Sequence, residues 1–418
     1  MTPPEPRPAP QPSAQTPAQT PAAVSYDGPT LLVTLTGRDR PGVTAALFEA
    51  CARQTVDVLD IEQVVIRGRL VLGVLLTAPR DDSRLRAALA DVAADLDVEV
   101  DVERGEGDAS GRPGGRVRVT LLGAPLRAAA VAAVAGRVAD TGANIDRIVR
   151  MARYPVTAVD LAVSGADPER LRVLLAQEAV RQRVDIAVQA AGIHRYAQRL
   201  VVMDVDSTLV QGEVIEMLAA RAGCLEQVTR VTEQAMAGEL DFAASLRARV
   251  ALLEGLPVTA VDEVYVDLRL TPGARTLVRT LHRLGYRFAL VSGGFTQVID
   301  RLAADLDIDY AAANTLEVAE GLLTGRLLGD LVDRRGKAAA LRRFADQARI
   351  PIANTVAIGD GANDLDMLAA AGLGVAFNAK PVVRAAADAA LSVPYLDAIA
   401  YLLGITREEI EAADAAEA

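Results

Sequence analysis

Three short apolar runs in the C-terminal half each stop at a polar cluster. Leu200-Val201-Val202-Met203 stops at Asp204-Val205-Asp206-Ser207-Thr208, and Phe288-Ala289-Leu290-Val291 stops at Ser292-Gly293-Gly294. Thr355-Val356-Ala357-Ile358 stops at Gly359-Asp360-Gly361-Ala362-Asn363-Asp364. Unbroken apolar runs of this length are the pattern of strands buried on both faces of a parallel sheet. That predicts an α/β fold in which all three clusters lie at one sheet edge, the edge where open α/β sheets bind ligands. In Asp204-Val205-Asp206 the two side chains bracket one residue. A loop beginning there swings both carboxylates toward one centre, and two carboxylates so close repel unless a cation or proton lies between them. The pattern points to Mg2+, an ion that takes oxygen ligands and substrate phosphate oxygens. Ser292-Gly293-Gly294 offers a hydroxyl and bare backbone N–H groups, the makings of a phosphate cradle. A fourth piece, Gly336-Lys337, leads a helical stretch. It is not a Walker A loop, because Ala338 stands where Ser or Thr is needed. An Asp after a strand is often only a helix cap, and S-G-G only a turn. The four pieces in order, three of them at strand ends, argue for a catalytic edge.

The N-terminal half reads differently. Residues 1–28 are a Pro, Ala, Gln and Thr run with too few apolar side chains to repay the entropy of ordering, so they are expected as a disordered tail. Residues 29–105 then run strand, helix, strand, strand, helix, strand. The pattern repeats: Leu31-Leu32-Val33-Thr34-Leu35-Thr36-Gly37 matches Val117-Arg118-Val119-Thr120-Leu121-Leu122-Gly123 at an offset of 86, which also sets Asp60 on Asp146. Two βαββαβ domains are expected, 29–105 and 116–192, joined by a Gly-rich linker over 106–115. A third domain follows over 195–418.

Composition removes several functions. The formal charge is −11, which argues against a nucleic-acid binder. No apolar stretch reaches the roughly 20 residues of a membrane span, and no secretory apolar core opens the chain. A soluble, cytoplasmic protein is expected. Two cysteines, Cys51 and Cys224, argue against a disulfide framework or structural zinc. Two histidines, His194 and His282, exclude a His-rich metal site and leave a Ser–His–Asp triad only two candidate bases. Of 44 basic residues only Lys337 and Lys380 are lysines. Those two positions call for a compact ammonium, or they fell there by chance.

D-V-D-S-T, S-G-G, G-K and G-D-G-A-N-D, in that order, resemble the four motifs of the haloacid dehalogenase superfamily of phosphatases, over roughly residues 198–410. Within it, DVDSTLVQGEVIE, EQAMAGELDFAASLRARVALL, VSGGFTQVI and IGDGANDLDML are similar to the phosphoserine phosphatases. The resemblance implies a Rossmann-like parallel sheet with a small helical cap. It implies hydrolysis of O-phospho-L-serine through an aspartyl-phosphate, the last step of serine biosynthesis. Asp204 is then the nucleophile and Asp206 the general acid/base. Ser292 and the Gly293 N–H hold phosphate oxygens, and Lys337 balances charge. Asp204, the Asp206 carbonyl and Asp360 hold Mg2+, with Asn363 and Asp364 supporting them. The repeat, with Gly37-Arg38-Asp39-Arg40-Pro41-Gly42-Val43, resembles ACT domains, which are ferredoxin-like amino-acid-sensing modules. Asp39 is expected to cap the following helix with Pro41 in its first turn, and Gly42 lets the backbone approach a ligand. The second copy has Ala124-Pro125-Leu126-Arg127 there and reads as structural. Such modules suggest feedback by serine at Asp39 and Gly42, and the resemblance allows a homodimer.

Between Thr208 and Leu270 the sequence is helical in period, the place for a cap over about 210–270. Phe242 and Arg249, seven apart, share a helix face with Leu246, Val250 and Leu253. Arg249 needs an anion or a rim position, and Glu213 could simply face a helix N-terminus. The resemblance assigns Glu213 to the amino group and Arg249 to the carboxylate of a serine substrate, with Met236 and Phe242 closing over it and Asn363 nearby.

Overall fold

The computed structural model describes residues 26–107, 115–192, 197, 199–236 and 239–416, without the side chain of Met236. Nearly all of the expected tail and most of the linker lie outside these residues. The chain forms two compact units that divide after residue 112.

In the first unit, β1 (Pro29–Arg38), β2 (Val58–Ile66), β3 (Arg69–Thr77) and β4 (Val98–Glu106) form an antiparallel sheet in the order β2-β3-β1-β4. Strand alternation sorts the side chains. Leu31, Val33 and Leu35 of β1 and Leu70, Leu72, Val74 and Leu76 of β3 are buried with Leu47, Leu85 and Leu89 from the two helices, Val43–Ala52 and Ser83–Leu96. The expected cap by Asp39 is not made. The first helix starts at Val43 with Gly42 as its N-cap, at a left-handed φ of 96° that favours glycine, and no side chain caps it. Asp39 is held elsewhere, its N–H donating to the Gly68 carbonyl in the β2–β3 turn at 2.8 Å.

In the second unit, β5 (Val117–Gly123), β6 (Asn144–Ala152), β7 (Thr157–Ser164) and β8 (Asp185–Ala190) repeat the first order as β6-β7-β5-β8. The repeat does not stand alone. Its strand β8 pairs antiparallel with β15 (Ala389–Leu391) at Ala187 and Ala389, which makes one eleven-stranded sheet. The Asp185 carboxylate accepts from the N–H groups of Ser392 and Val393 at 2.6 and 3.2 Å, and Gln189 Nε2 donates to the Leu402 carbonyl at 3.2 Å. Leu122, Met151, Ala152 and Val156 belong to the same apolar core as Leu391, Leu396 and Tyr401.

The rest of the sheet is β9 (Leu200–Met203), β10 (Arg287–Phe295), β11 (Tyr310–Ala319), β12 (Leu322–Leu328), β13 (Thr355–Gly359), β14 (Leu373–Phe377) and β15. Apart from the β11–β12 hairpin these strands are parallel, in the spatial order β11-β10-β9-β13-β14-β15. The order reverses beside β9, the first strand in sequence, and the crevice of a doubly wound sheet opens at such a point. The cap expected after the first motif is four helices, Val214–Arg221, Leu225–Met236, Phe242–Ala251 and Thr259–Asp267, closed at its base by a bridge between Val210 and Leu270. Asp241 caps the third, accepting from Ala244 N–H at 2.7 Å. That helix ends at Ala251, so Leu253 lies beyond it, still buried. The β11–β12 hairpin, unread in the sequence, meets the cap through paired hydrogen bonds of Leu323 with Gly255 and Leu256, both 2.8 Å. No helix among the described residues is long and apolar enough to cross a membrane.

Candidate active site

The strand ends converge on one cavity of about 640 Å³. Asp204, Asp206, Gly293, Gly294 and the Asp360–Asn363 loop line it from the sheet, and Glu213, Phe242 and Arg249 line it from the cap side. Ser292 and Lys337 lie beneath, each fully buried.

Asp204 is fixed by its N–H, which donates to the Ile358 carbonyl of β13 at 2.9 Å. The chain then makes one wide turn over Val205–Leu209, closed by Val210 N–H on the Val205 carbonyl at 3.0 Å, with Ser207 at a φ of 60°. This turn brings Asp206 back over the sheet edge. Its carboxylate accepts from the Val214 N–H at 2.8 Å and from Ser292 Oγ at 3.0 Å. Ser292 Oγ in turn accepts from Gly294 N–H at 2.7 Å. A Cβ at position 294 would stand 2.9 Å from Ser292 Oγ and 3.0 Å from Asp206, so the close approach requires the glycine. Asn314 holds the loop from behind, donating to the Gly293 carbonyl and accepting from Val332 N–H, both at 2.8 Å.

Lys337 sits in the first turn of helix Arg334–Ala348, which Asp333 caps through Gly336 N–H at 2.7 Å. Its Nζ donates to Asp204 at 2.6 Å and to Asp364 at 2.7 Å. The other Asp364 oxygen accepts from Gly361 N–H at 3.0 Å. Thr208 Oγ1 donates to Asp360 at 3.2 Å. Carboxylate oxygens of Asp204, Asp360 and Asp364 all lie within 4.8 Å of one another.

Crowding and burial disturb these groups in a consistent direction. Burial, then the neighbouring Asp364, raises Asp204 well above the usual carboxylate range despite Lys337. Burial raises Asp206, against the hydrogen bonds from Val214 and Ser292. Burial and Asp364 raise Asp360 to about 6. Burial alone would lower Lys337, but Asp204 and Asp364 reverse that and hold it charged. On the cap side, burial and Asp206 raise Glu213 to about 7, and Ser207 Oγ donates to it at 3.1 Å. Arg249 is lowered by burial and opposed by the fields of Glu213 and Asp206. Three hard oxygen donors crowded around one point form a set that a divalent cation would relieve.

The sequence-derived residues Asp204, Asp206, Glu213, Phe242, Arg249, Ser292, Gly293, Lys337, Asp360 and Asn363 thus meet at one place. Phe242 reaches the motif loop itself, its ring tip 3.3 Å from where a Gly293 Cβ would be. The Met236 side chain lies outside the described residues. Asp39 and Gly42 belong to the other unit. His282 stands near the opposite edge of the sheet, edge-on to Phe288 and 3.7 Å from Asp309, and His194 lies outside the described residues. Thr208, Glu216, Asn314 and Lys380 escaped the sequence reading of the site. Lys380 carried a signal as one of only two lysines, and Asn314 as a polar residue directly after the apolar run Ala311-Ala312-Ala313.

Residues 201–369 match the haloacid dehalogenase-like hydrolase family, and residues 29–103 and 117–189 each match an ACT domain family. The chain is 61% identical to a phosphoserine phosphatase of Streptomyces coelicolor over 390 residues, covering 93% of this chain and 95% of that protein. The chain belongs to the phosphoserine phosphatase family. A second member, from Mycobacterium tuberculosis, is 53% identical over 393 residues, covering 93% of this chain and 96% of that one. Among solved structures, an unliganded probable phosphoserine phosphatase from Vibrio cholerae superposes with a TM-score of 0.55 at 36% identity, covering 69% of this chain and 86% of that one. A haloacid dehalogenase family hydrolase of Salmonella enterica gives 0.61 at 26% identity, covering 69% and 98%. The hydrolase region here is joined to two ACT domains, and the second of them shares the hydrolase sheet.

Proposed function

We propose that the chain hydrolyses O-phospho-L-serine to L-serine and phosphate. The observation that carries this reading is the pairing, across one cavity, of Asp204 and Asp206 on the sheet edge with Glu213 and Arg249 on the cap side. A phosphorylated amino acid needs an acid for its ammonium and a base for its carboxylate, and sugar phosphates carry neither group.

The chain's own residues account for the chemistry in two halves. Asp204 attacks phosphorus and forms an acyl phosphate as the bond to the serine oxygen breaks. Asp206, whose burial favours the protonated form, gives its proton to that leaving oxygen. Asp206 then takes a proton from the water that attacks the same phosphorus, and the bond to Asp204 breaks. Ser292 and the Gly293 N–H hold phosphoryl oxygens while Lys337 offsets the charge that gathers on them and on Asp204. Asp204, the Asp206 carbonyl and Asp360 would hold Mg2+, with Asp364 and Asn363 alongside. The ion supplies Lewis-acid polarisation of the phosphoryl group when bound. Phe242, which lines the cavity from the cap side, excludes water there.

Phosphate release from L-phosphoserine, measured with Mg2+, with EDTA and beside phosphoglycolate, tests the reading. Fast metal-dependent release confined to phosphoserine supports it. Release from phosphoglycolate alone would keep the aspartates and discard the clamp. The first ACT domain is proposed as a serine sensor through Asp39 and Gly42. L-serine should then slow the full chain more than a chain beginning at residue 115, and equal responses remove that role.

A further inference from the structure

Of the two lysines, Lys337 is buried beneath the cavity and paired with Asp204 and Asp364, while Lys380 lines the cavity and is not accounted for. Lys380 reaches it along a separate route. β14 lies beside β13, so its C-terminal end comes out at the edge that carries Asp360. Phe377-Asn378-Ala379-Lys380 follows, and helix Pro381–Ala386 begins immediately after. The backbone there is anchored: Asn378 N–H donates to the Leu391 carbonyl at 2.7 Å, and Pro381 opens the helix. Lys380 lines the cavity with Gly361, Ala362 and Asn363, and it is exposed.

The charge around it is one-sided. Asp204, Asp206, Glu213, Glu216 and Asp360 line the cavity, against Arg249 and Lys380. Arg249 is half-buried and feels Glu213 and Asp206. Among the described residues Lys380 is the exposed cation of the lining. A phosphate monoester dianion entering this cavity meets carboxylates first unless a free positive charge stands at the rim.

We propose that Lys380 is the capture residue for the phosphoryl dianion of the incoming substrate. It draws the ligand to the mouth and offsets carboxylate repulsion until the deeper groups engage. This rests on the phosphomonoester reading of the site. It also explains the residue type. Arg334, on the same sheet edge, is committed to a fixed pair with Asp366. An arginine fork favours such bidentate partners, whereas an ammonium on a four-carbon stem stays available and follows a moving ligand.

The test compares wild type with Lys380→Gln and Lys380→Arg, each checked for an unchanged circular dichroism melt. The substrates are phosphoserine and p-nitrophenyl phosphate, at low and high ionic strength. Lys380→Gln should lower kcat/KM about threefold to tenfold on both substrates at low salt, through KM. The deficit should close near about 0.5 M salt, where screening shortens to a few ångströms. Lys380→Arg, which keeps the charge, should recover most of the loss. Unchanged kcat/KM at low salt overturns the proposal. So does a deficit that ignores salt or falls on kcat alone, because a merely structural loop residue would behave that way. If phosphoserine is not turned over at all, the substrate reading fails, and the p-nitrophenyl phosphate series still decides the role of Lys380.

Discussion

Replacing Lys337 with Met keeps most of the side-chain length and removes the charge that Asp204 and Asp364 share. The ammonium is fully buried and bonded to both carboxylates, at 2.6 and 2.7 Å. Removing one partner of a buried ion pair costs about 3–5 kcal/mol, because the remaining charge stays buried and unpaired. In the metal-free protein at pH 7.5 the expected loss is about 4 kcal/mol. At a slope of about 3 kcal/mol per molar urea this lowers the midpoint of the second unit by about 1.3 M. The carboxylates of the variant escape this cost by taking up protons. Asp204 already has its folded pKa raised by burial and Asp364, so its share of the stability is lost as pH rises through the folded value and is partly regained at pH 5. Mg2+ should also stabilise the variant more than the wild type, since it returns positive charge to the same cluster. Far-UV circular dichroism in urea, at pH 5 and 7.5, with and without Mg2+, reads all three effects in a chain that has no tryptophan. A loss of equal size at both pH values would show that Lys337 matters for packing and not for charge, and would refute the reasoning.

Four further outcomes are expected. Arg249→Ala should raise KM for phosphoserine about tenfold to a hundredfold, the worth of one charged hydrogen bond, and should spare p-nitrophenyl phosphate in steady-state assays. Asp204→Asn should abolish phosphate release, because a carboxamide is a poor nucleophile, while its circular dichroism spectrum stays that of the wild type. Glu213 sits at about 7 in the fold against 4.5 for a free side chain, so the metal-free protein should lose up to about 3 kcal/mol from this group as pH rises through that window, and Glu213→Gln should remove that share of the slope in urea titrations. Asp185→Ala frees two backbone N–H groups of Ser392 and Val393 and should cost about 1–3 kcal/mol, read as a lower melting temperature.

The sequence shows the catalytic edge because three strands announce themselves by three or four apolar residues and a motif follows each directly. The repeat was legible for a similar reason: β2 at 58–66 and β6 at 144–152 are the same segment displaced by 86 residues. What stayed hidden depends on contacts between remote positions. Thr208 meets Asp360 across 152 residues, and no local pattern encodes such a distance. Lys380 stood out as one of two lysines, but its place at the cavity follows only from β14 lying beside β13. The helix start at Gly42 was misread because D-R-P-G suits a capped helix as well as it suits a left-handed turn. The union of β8 with β15 left no trace either, since the strands pair at one residue position and the rest is contact between segments about 200 residues apart, such as Asp185 with Ser392 and Gln189 with Leu402.

That union has a bearing on how the chain can be divided. β15 is only three residues long, and without β8 it would be the exposed edge of a parallel sheet, a row of free N–H and C=O groups open to another molecule. The second ACT domain is therefore also an edge guard. It converts a site of intermolecular strand pairing into the middle of a larger sheet. A catalytic half cut out after β8 would have to solve an aggregation problem that the intact chain never meets, and the natural seam for excision is the Gly-rich stretch before β5.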